Sequence, residues 1–154
     1  MHKKVIILLI FVSLLTHCGF TPIHLTKSNI NFSITSIKFS GDKTINRYLK
    51  SNLNNFINNE HSKKFQIEIN TKYEKNIISK DKSSKITDYQ LTSTTFFKVN
   101  YNNLVKTFSF SEKKSMNNIN DKFEEQKYER AIKQNFASNT SNKLISELAL
   151  LNDN

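Results

Sequence analysis

The chain has little of what usually bends or braces a backbone. Among 154 residues there are two glycines (Gly19 and Gly41), one proline (Pro22), one cysteine (Cys18) and no tryptophan. No phosphate loop, glycine-rich nucleotide turn or nucleophile elbow is present. Turning must fall to asparagine, which tolerates the left-handed backbone region, and Asn58-Asn59, Asn102-Asn103 and Asn117-Asn118 are placed to do it. The four histidines, His2, His17, His24 and His61, show no pair at metal-ligand spacing, so neither zinc nor iron is expected. With no such constellation, no enzyme and no cofactor are expected. Acid is scarce as well, with 13 Asp and Glu against 23 Lys and Arg, a formal net charge of +10. The main apolar run, Val5 to Leu15, is interrupted only by Ser13. It falls well short of the roughly 20 residues a membrane-spanning helix needs.

That run follows Lys3 and Lys4 and leads into Leu15-Thr16-His17-Cys18-Gly19. A basic start, a short apolar region and a cysteine at the cut resemble a secretory signal peptide ending in a lipobox, although His17 stands where a small residue is usual. Residues 1–17 are then a signal peptide, and Cys18 carries diacylglyceryl and acyl chains such as palmitate. The other reading, a signal peptide cut elsewhere, leaves Cys18 an unpaired thiol, which suits an oxidising compartment poorly. Cleavage before Cys18 leaves 137 residues, enough for one domain, with 21 basic residues against 13 acidic, a formal +8. Such a balance suits an anionic phospholipid surface or a phosphorylated glycolipid. After export no nucleic acid is expected as a partner.

Residues 18–31 have no sustained periodicity and read as a lipidated tether; residues 32–154 read as a single α+β domain. From Phe32 to Phe39 the apolar residues change parity between Ile34 and Ile37, which predicts a strand with a bulge. Asp42 is placed to cap a helix of about sixteen residues carrying Ile45, Leu49, Leu53, Phe56 and Ile57. Phe65 to Tyr73 alternate as a strand, and Lys75 to Lys85, rich in charge and serine, read as a loop. Alternation resumes from Tyr89 to Tyr101 and from Leu104 to Phe110. A two-residue turn at Asn102-Asn103 sets Tyr101 opposite Leu104, Phe97 opposite Phe108 and Thr95 opposite Phe110. Glu112 to Asp121 read as a second loop. A long helix then carries Phe123, Tyr128, Ile132, Phe136, Thr140, Leu144, Leu148 and Leu151, with Ala131 and Ile145 beside the stripe and Glu124, Glu125 and Glu129 on its wet side.

The expected fold is α+β: a four-stranded, mainly antiparallel sheet with two helices on one face, in the order β-α-β-β-β-α. The other face, with Lys64, Gln66, Glu68, Asn70, Lys98, Asn100, Phe96 and Val105, meets water or a polar partner. This topology sends the two predicted loops to one end of the sheet. There Lys80, Lys82, Lys85, Lys113 and Lys114 form a candidate site for an anionic lipid, with Lys75 and Lys43 near them, roughly 30 Å from the end where Cys18 enters.

Leu15 to Pro22, with Cys18-Gly19-Phe20-Thr21-Pro22, resembles the cysteine-proximal motif of the lipopolysaccharide-assembly lipoprotein LptE family in its alphaproteobacterial form. The strand ending at Phe39, the helix carrying Arg47, Leu49 and Leu53, the alternating strands and Tyr128-Glu129-Arg130-Ala131-Ile132 in the last helix extend the likeness over the mature chain. The resemblance implies an outer-membrane lipoprotein on the periplasmic side. Such a protein plugs the β-barrel translocon LptD, assists its assembly and contacts lipopolysaccharide. The competing expectation is a lipid-anchored accessory subunit of another envelope complex, such as an ABC-type lipid transporter.

Overall fold

The computed structural model describes residues 32–57, 61 and 63–152. The expected signal peptide, lipidated Cys18, tether and Asn58-Asn59 turn fall outside the described residues. Strand β1 (Phe32–Gly41) leads into helix α1 (Lys43–Leu53) and a 3-10 turn, Asn54–Phe56. Strands β2 (Lys63–Lys80), β3 (Ile86–Tyr101) and β4 (Leu104–Asn117) follow, and helix α2 (Lys122–Asn152) closes the chain. The sheet order is β1-β2-β3-β4, with β1 parallel to β2 and the remaining pairs antiparallel, so the expected α+β arrangement is the one observed.

The parity change in β1 is a bulge at Thr35, between Ile34↔Phe65 and Ser36↔Gln66. It returns Ile37 and Phe39 to the face that Phe32 and Ile34 already occupy, and Thr35 Oγ1 donates to the Phe65 carbonyl at 3.2 Å. At Gly41 the strand leaves the sheet. Its φ of +90° and the approach of Thr71 O, 1.9 Å from where a Cβ would stand, require glycine there. Asp42 then caps α1, its Oδ1 accepting from Thr44 N at 2.9 Å and Ile45 N at 2.8 Å. α1 ends at Leu53, earlier than expected. Asn54 and Asn55, poor helix formers, tighten into the 3-10 turn, and Ile57 joins Ile34 in an isolated parallel bridge.

Because β1 stops opposite Thr71, the sheet has two halves. Below Thr71 four strands lie under both helices, and Phe32, Ile34, Ile45, Leu49, Leu53, Phe65, Ile67, Ile69, Phe97 and Val99 pack with Ala137, Leu144, Ile145 and Leu148 in one buried cluster. Above it β2, β3 and β4 continue alone as a long ribbon. The predicted loops at Lys75–Lys85 and Glu112–Asp121 are mostly strand, β2 running to Lys80 and β4 to Asn117. Their charged residues masked a continuing apolar face. Ile77↔Tyr89↔Met116 and Leu91 keep it going, and Leu91, Met116, Ile132 and Phe136 form a second, smaller cluster. The Asn102-Asn103 turn holds both residues at positive φ, 45° and 62°, and the register opposes Tyr101 with Leu104, Phe97 with Phe108 and Thr95 with Phe110.

Helix α2 buries Ile132, Phe136, Thr140, Leu144, Ile145 and Leu148, as its stripe predicted. Phe123 and Tyr128 do not follow: they are 72% and 46% exposed, and Ala131 is exposed too. Steps of four advance a helix by about 40° beyond a full turn, so the line through Ile132 has rotated off the sheet at Tyr128. Glu125 takes the inward place and is buried.

Candidate functional site

The predicted lysines are divided by the register. Lys80 pairs with Ile86 at the end of β2, and Lys82 and Lys85 lie in the turn that follows, so these three share the upper tip. In that turn Asp81 Oδ1 accepts from the Ser83 amide, the Ser83 hydroxyl and the Lys85 amide at 2.7–2.9 Å. The Ser83 hydroxyl, and then the Lys85 amide, hold its carboxyl below the usual range, so a fixed negative charge sits among the three cations. Lys113 is opposite Thr92 and Lys114 opposite Leu91, five to six strand positions below Ile86 and on opposite faces of β4. At about 3.3 Å per residue that is roughly 17–20 Å away, so the five do not form one cluster. Lys43 opens α1, level with Thr71, far below the turn.

Lys75 is committed elsewhere. It sits on the helix-facing side of β2, its Nζ 2.5 Å from Glu125 Oε1, 3.1 Å from Glu129 Oε2 and 4.4 Å from the centre of the Tyr89 ring. Burial pulls its pKa down, but the bonds to Glu125 and Glu129 more than offset this and leave it raised. Lys122 Nζ reaches Glu125 Oε2 at 2.6 Å, and the Tyr73 hydroxyl donates to Glu129 Oε1 at 2.8 Å. Burial, reinforced by Glu129, pushes the Tyr73 phenol far up, so it stays protonated. Lys133 Nζ lies 3.0 Å from Asp42 Oδ2, 3.7 Å from Glu129 Oε1 and 3.7 Å from the centre of the Tyr73 ring. This network, with hydrogen bonds from Lys122 and then Lys75 holding Glu125 below its usual range, binds the first turns of α2 to the ribbon. Sequence reasoning placed Glu125 and Glu129 on the wet side. The missed signal was Glu125, Glu129 and Lys133 at four-residue steps, leading onto the apolar stripe from the other side.

The face of the sheet away from the helices is open and polar, as its sequence pattern predicted. Gln66, Asn70, Lys98, Thr107 and Ser109 are exposed, and Glu68 bridges Lys98 at 3.6 Å and Lys38 at 3.9 Å. Phe96, 49% exposed, floors a shallow groove of about 530 Å³ among them. Among the described residues no group of His, Cys, Asp or Glu is arranged to hold a metal, and no helix is long and apolar enough to cross a membrane.

No protein-family model matches the chain, and no curated protein is significantly similar in sequence. Solved structures are similar in fold. The crystal structure of rare lipoprotein B from Shewanella oneidensis superposes with a TM-score of 0.57 at 14% identity, covering 77% of this chain and 99% of that one. The chain has the fold of bacterial rare and minor lipoproteins. The solution structure of a lipoprotein B from Nitrosomonas europaea gives a TM-score of 0.57 at 10% identity, covering 82% of this chain and 90% of that one. A minor lipoprotein from Acinetobacter baumannii gives 0.51 at 11%, covering 73% and 94%. At these identities the likeness carries the architecture, and that architecture spans nearly all of each lipoprotein.

Proposed function

We propose that the chain is an outer-membrane lipoprotein of the LptE type, held on the periplasmic side by lipid on Cys18. It plugs an LptD-like β-barrel, assists that barrel's assembly and takes part in lipopolysaccharide insertion. The observation that carries the reading is the near-complete overlap with rare lipoprotein B, 99% of that chain, in a sequence whose Cys18 follows a basic start and a short apolar run. Two features of the surface support it. The open polar face of the sheet offers a broad area for a polar wall, and Lys80, Lys82 and Lys85 at the far turn present cations to lipid phosphates. Lys113 and Lys114 contribute, in this reading, as charges along the edge strand. No catalytic step is assigned to the chain.

Depletion in the native cell tests the reading. The barrel should then fail to mature and newly made lipopolysaccharide should stop reaching the surface. Cys18→Ala should abolish acyl labelling. A depleted cell with a normal barrel and normal surface lipopolysaccharide would overturn the assignment. If an inner-membrane lipid permease failed instead, the chain would be an accessory subunit of that machine.

A further inference from the structure

At the lower end of the sheet, opposite the lysine turn, the inside–outside alternation of β4 breaks down. Leu104 and Val105 are consecutive, so they point to opposite faces, and both are out in solvent, 61% and 55% exposed. Leu104 opposes Tyr101 across the Asn102-Asn103 turn, and Val105 opposes Asn100. Just past the exposed Asn102-Asn103 turn the hairpin is therefore apolar on both faces. Leu150, 60% exposed near the end of α2, belongs to the same end, where Leu151 and Leu104 share the wall of a groove of about 520 Å³.

Cations ring this tip. Lys64 adjoins Phe65 at the start of β2, and Lys106 follows Val105; both are exposed. Lys63 lies 5.8 Å from the centre of the Tyr101 ring and donates to the Leu151 carbonyl at 3.3 Å, offsetting the negative end of the helix dipole. Glu68, the nearest strand carboxylate, is already bridged to Lys38 and Lys98; Glu147 is one helical turn before Leu151. The lower end is also where the chain arrives. Phe32 pairs with Lys63, and the 14 residues from Cys18 to Asn31 reach at most about 48 Å when fully extended. The lysine turn stands a further 56 Å or so up β2, at about 3.3 Å for each residue beyond Lys63.

We propose that this end is a membrane-seating surface. Leu104 and Val105 enter the interfacial layer of an anionic bilayer while Lys64 and Lys106, with Lys63 behind them, meet lipid phosphates. The hairpin supplies a second, weaker contact beside the lipid on Cys18. The inference rests on the anchored-lipoprotein reading for the membrane being at hand, but its test does not need the anchor.

Residues 32–152 contain every strand, helix and core residue described, so the chain from Gly19 to Asn154 carries the fold without the signal peptide or the lipid. This protein is sedimented with vesicles of phosphatidylglycerol and phosphatidylethanolamine in equal parts, and with vesicles of phosphatidylcholine alone. Binding to the anionic vesicles alone is expected, falling with salt. Leu104→Asp with Val105→Asp should reduce it at least tenfold, and Lys64→Gln with Lys106→Gln by about fivefold per lysine. Lys80→Gln with Lys82→Gln, at the other end, should leave it within twofold. A brominated-lipid quencher should dim a fluorophore on Leu104→Cys but not one on Ser83→Cys. Equal loss from both pairs of lysine changes, or no vesicle binding by the unaltered chain, would overturn the proposal. Acyl labelling of Cys18 in the full chain is read separately, so loss of the anchor reading and loss of the seating surface give different results.

Discussion

Below Thr71 the sheet has four strands under two helices; above it there are three strands under the first half of one helix. The lower part buries fourteen hydrophobic residues in one cluster and the upper part four in another. Between them runs a polar seam of Thr71, Ser93, Thr95, Thr140 and Ser141, all buried, where Ser93 Oγ and Thr95 Oγ1 have no partner among the described residues. What closes the upper half is charge: Glu125, 6% exposed at its side chain, joined by Lys75 and Lys122, and Lys133 tied to Asp42. Apolar burial does not depend on ionisation, whereas ion pairs at the rim respond to pH and salt. The upper half should therefore be the part that opens first, and the lower half should set global stability.

The largest effect should come from the lower core. Leu49→Ala or Leu144→Ala, each at a fully buried position, should cost about 3–5 kcal/mol in global unfolding, read from denaturant midpoints. Phe136→Ala should cost about 2–4 kcal/mol, since it removes the largest member of the upper cluster beside the polar seam. Hydrogen exchange should then rise in β4 above Phe110 and in Lys122–Phe136 before it rises in β1, and uniform acceleration would erase the proposed difference between the halves. Glu125→Gln should cost about 1–3 kcal/mol. Its folded pKa is lowered, so the stability it gives is present above the unfolded value of 4.5 and is lost as pH falls through the folded value. Acid below about pH 4.5 should loosen the upper half of the native protein, and the variant should lack that share of the pH dependence. Smallest of all, Lys127→Gln breaks an exposed pair with Glu124 and should change stability by about 0.5 kcal/mol or less.

The lower half was largely legible in the sequence because its residues obey one period each. Ile45, Leu49 and Leu53 repeat as a helix does, Phe65 to Tyr73 alternate as a strand does, and the Asn102-Asn103 turn fixes the register of two strands together. The upper half was not, because charge stands where the pattern expects apolar residues. Lys75 and Glu125 lie on inward-facing positions and satisfy each other, an arrangement that neither segment announces alone. The candidate site suffered for the same reason. Once β2 and β4 extend through the predicted loops, Lys113 and Lys114 move down the ribbon and Lys75 turns inward, leaving Lys80, Lys82 and Lys85 together.

The functional account stands on what the chain assembles with. The protein should be isolated from its native envelope in mild detergent and its partners identified by mass spectrometry. One outer-membrane β-barrel in a stoichiometric complex is predicted, with crosslinks from the open sheet face, through Phe96→Cys or Asn70→Cys, to the barrel wall. Recovery of the protein with an inner-membrane permease, or with no barrel at all, would contradict the account.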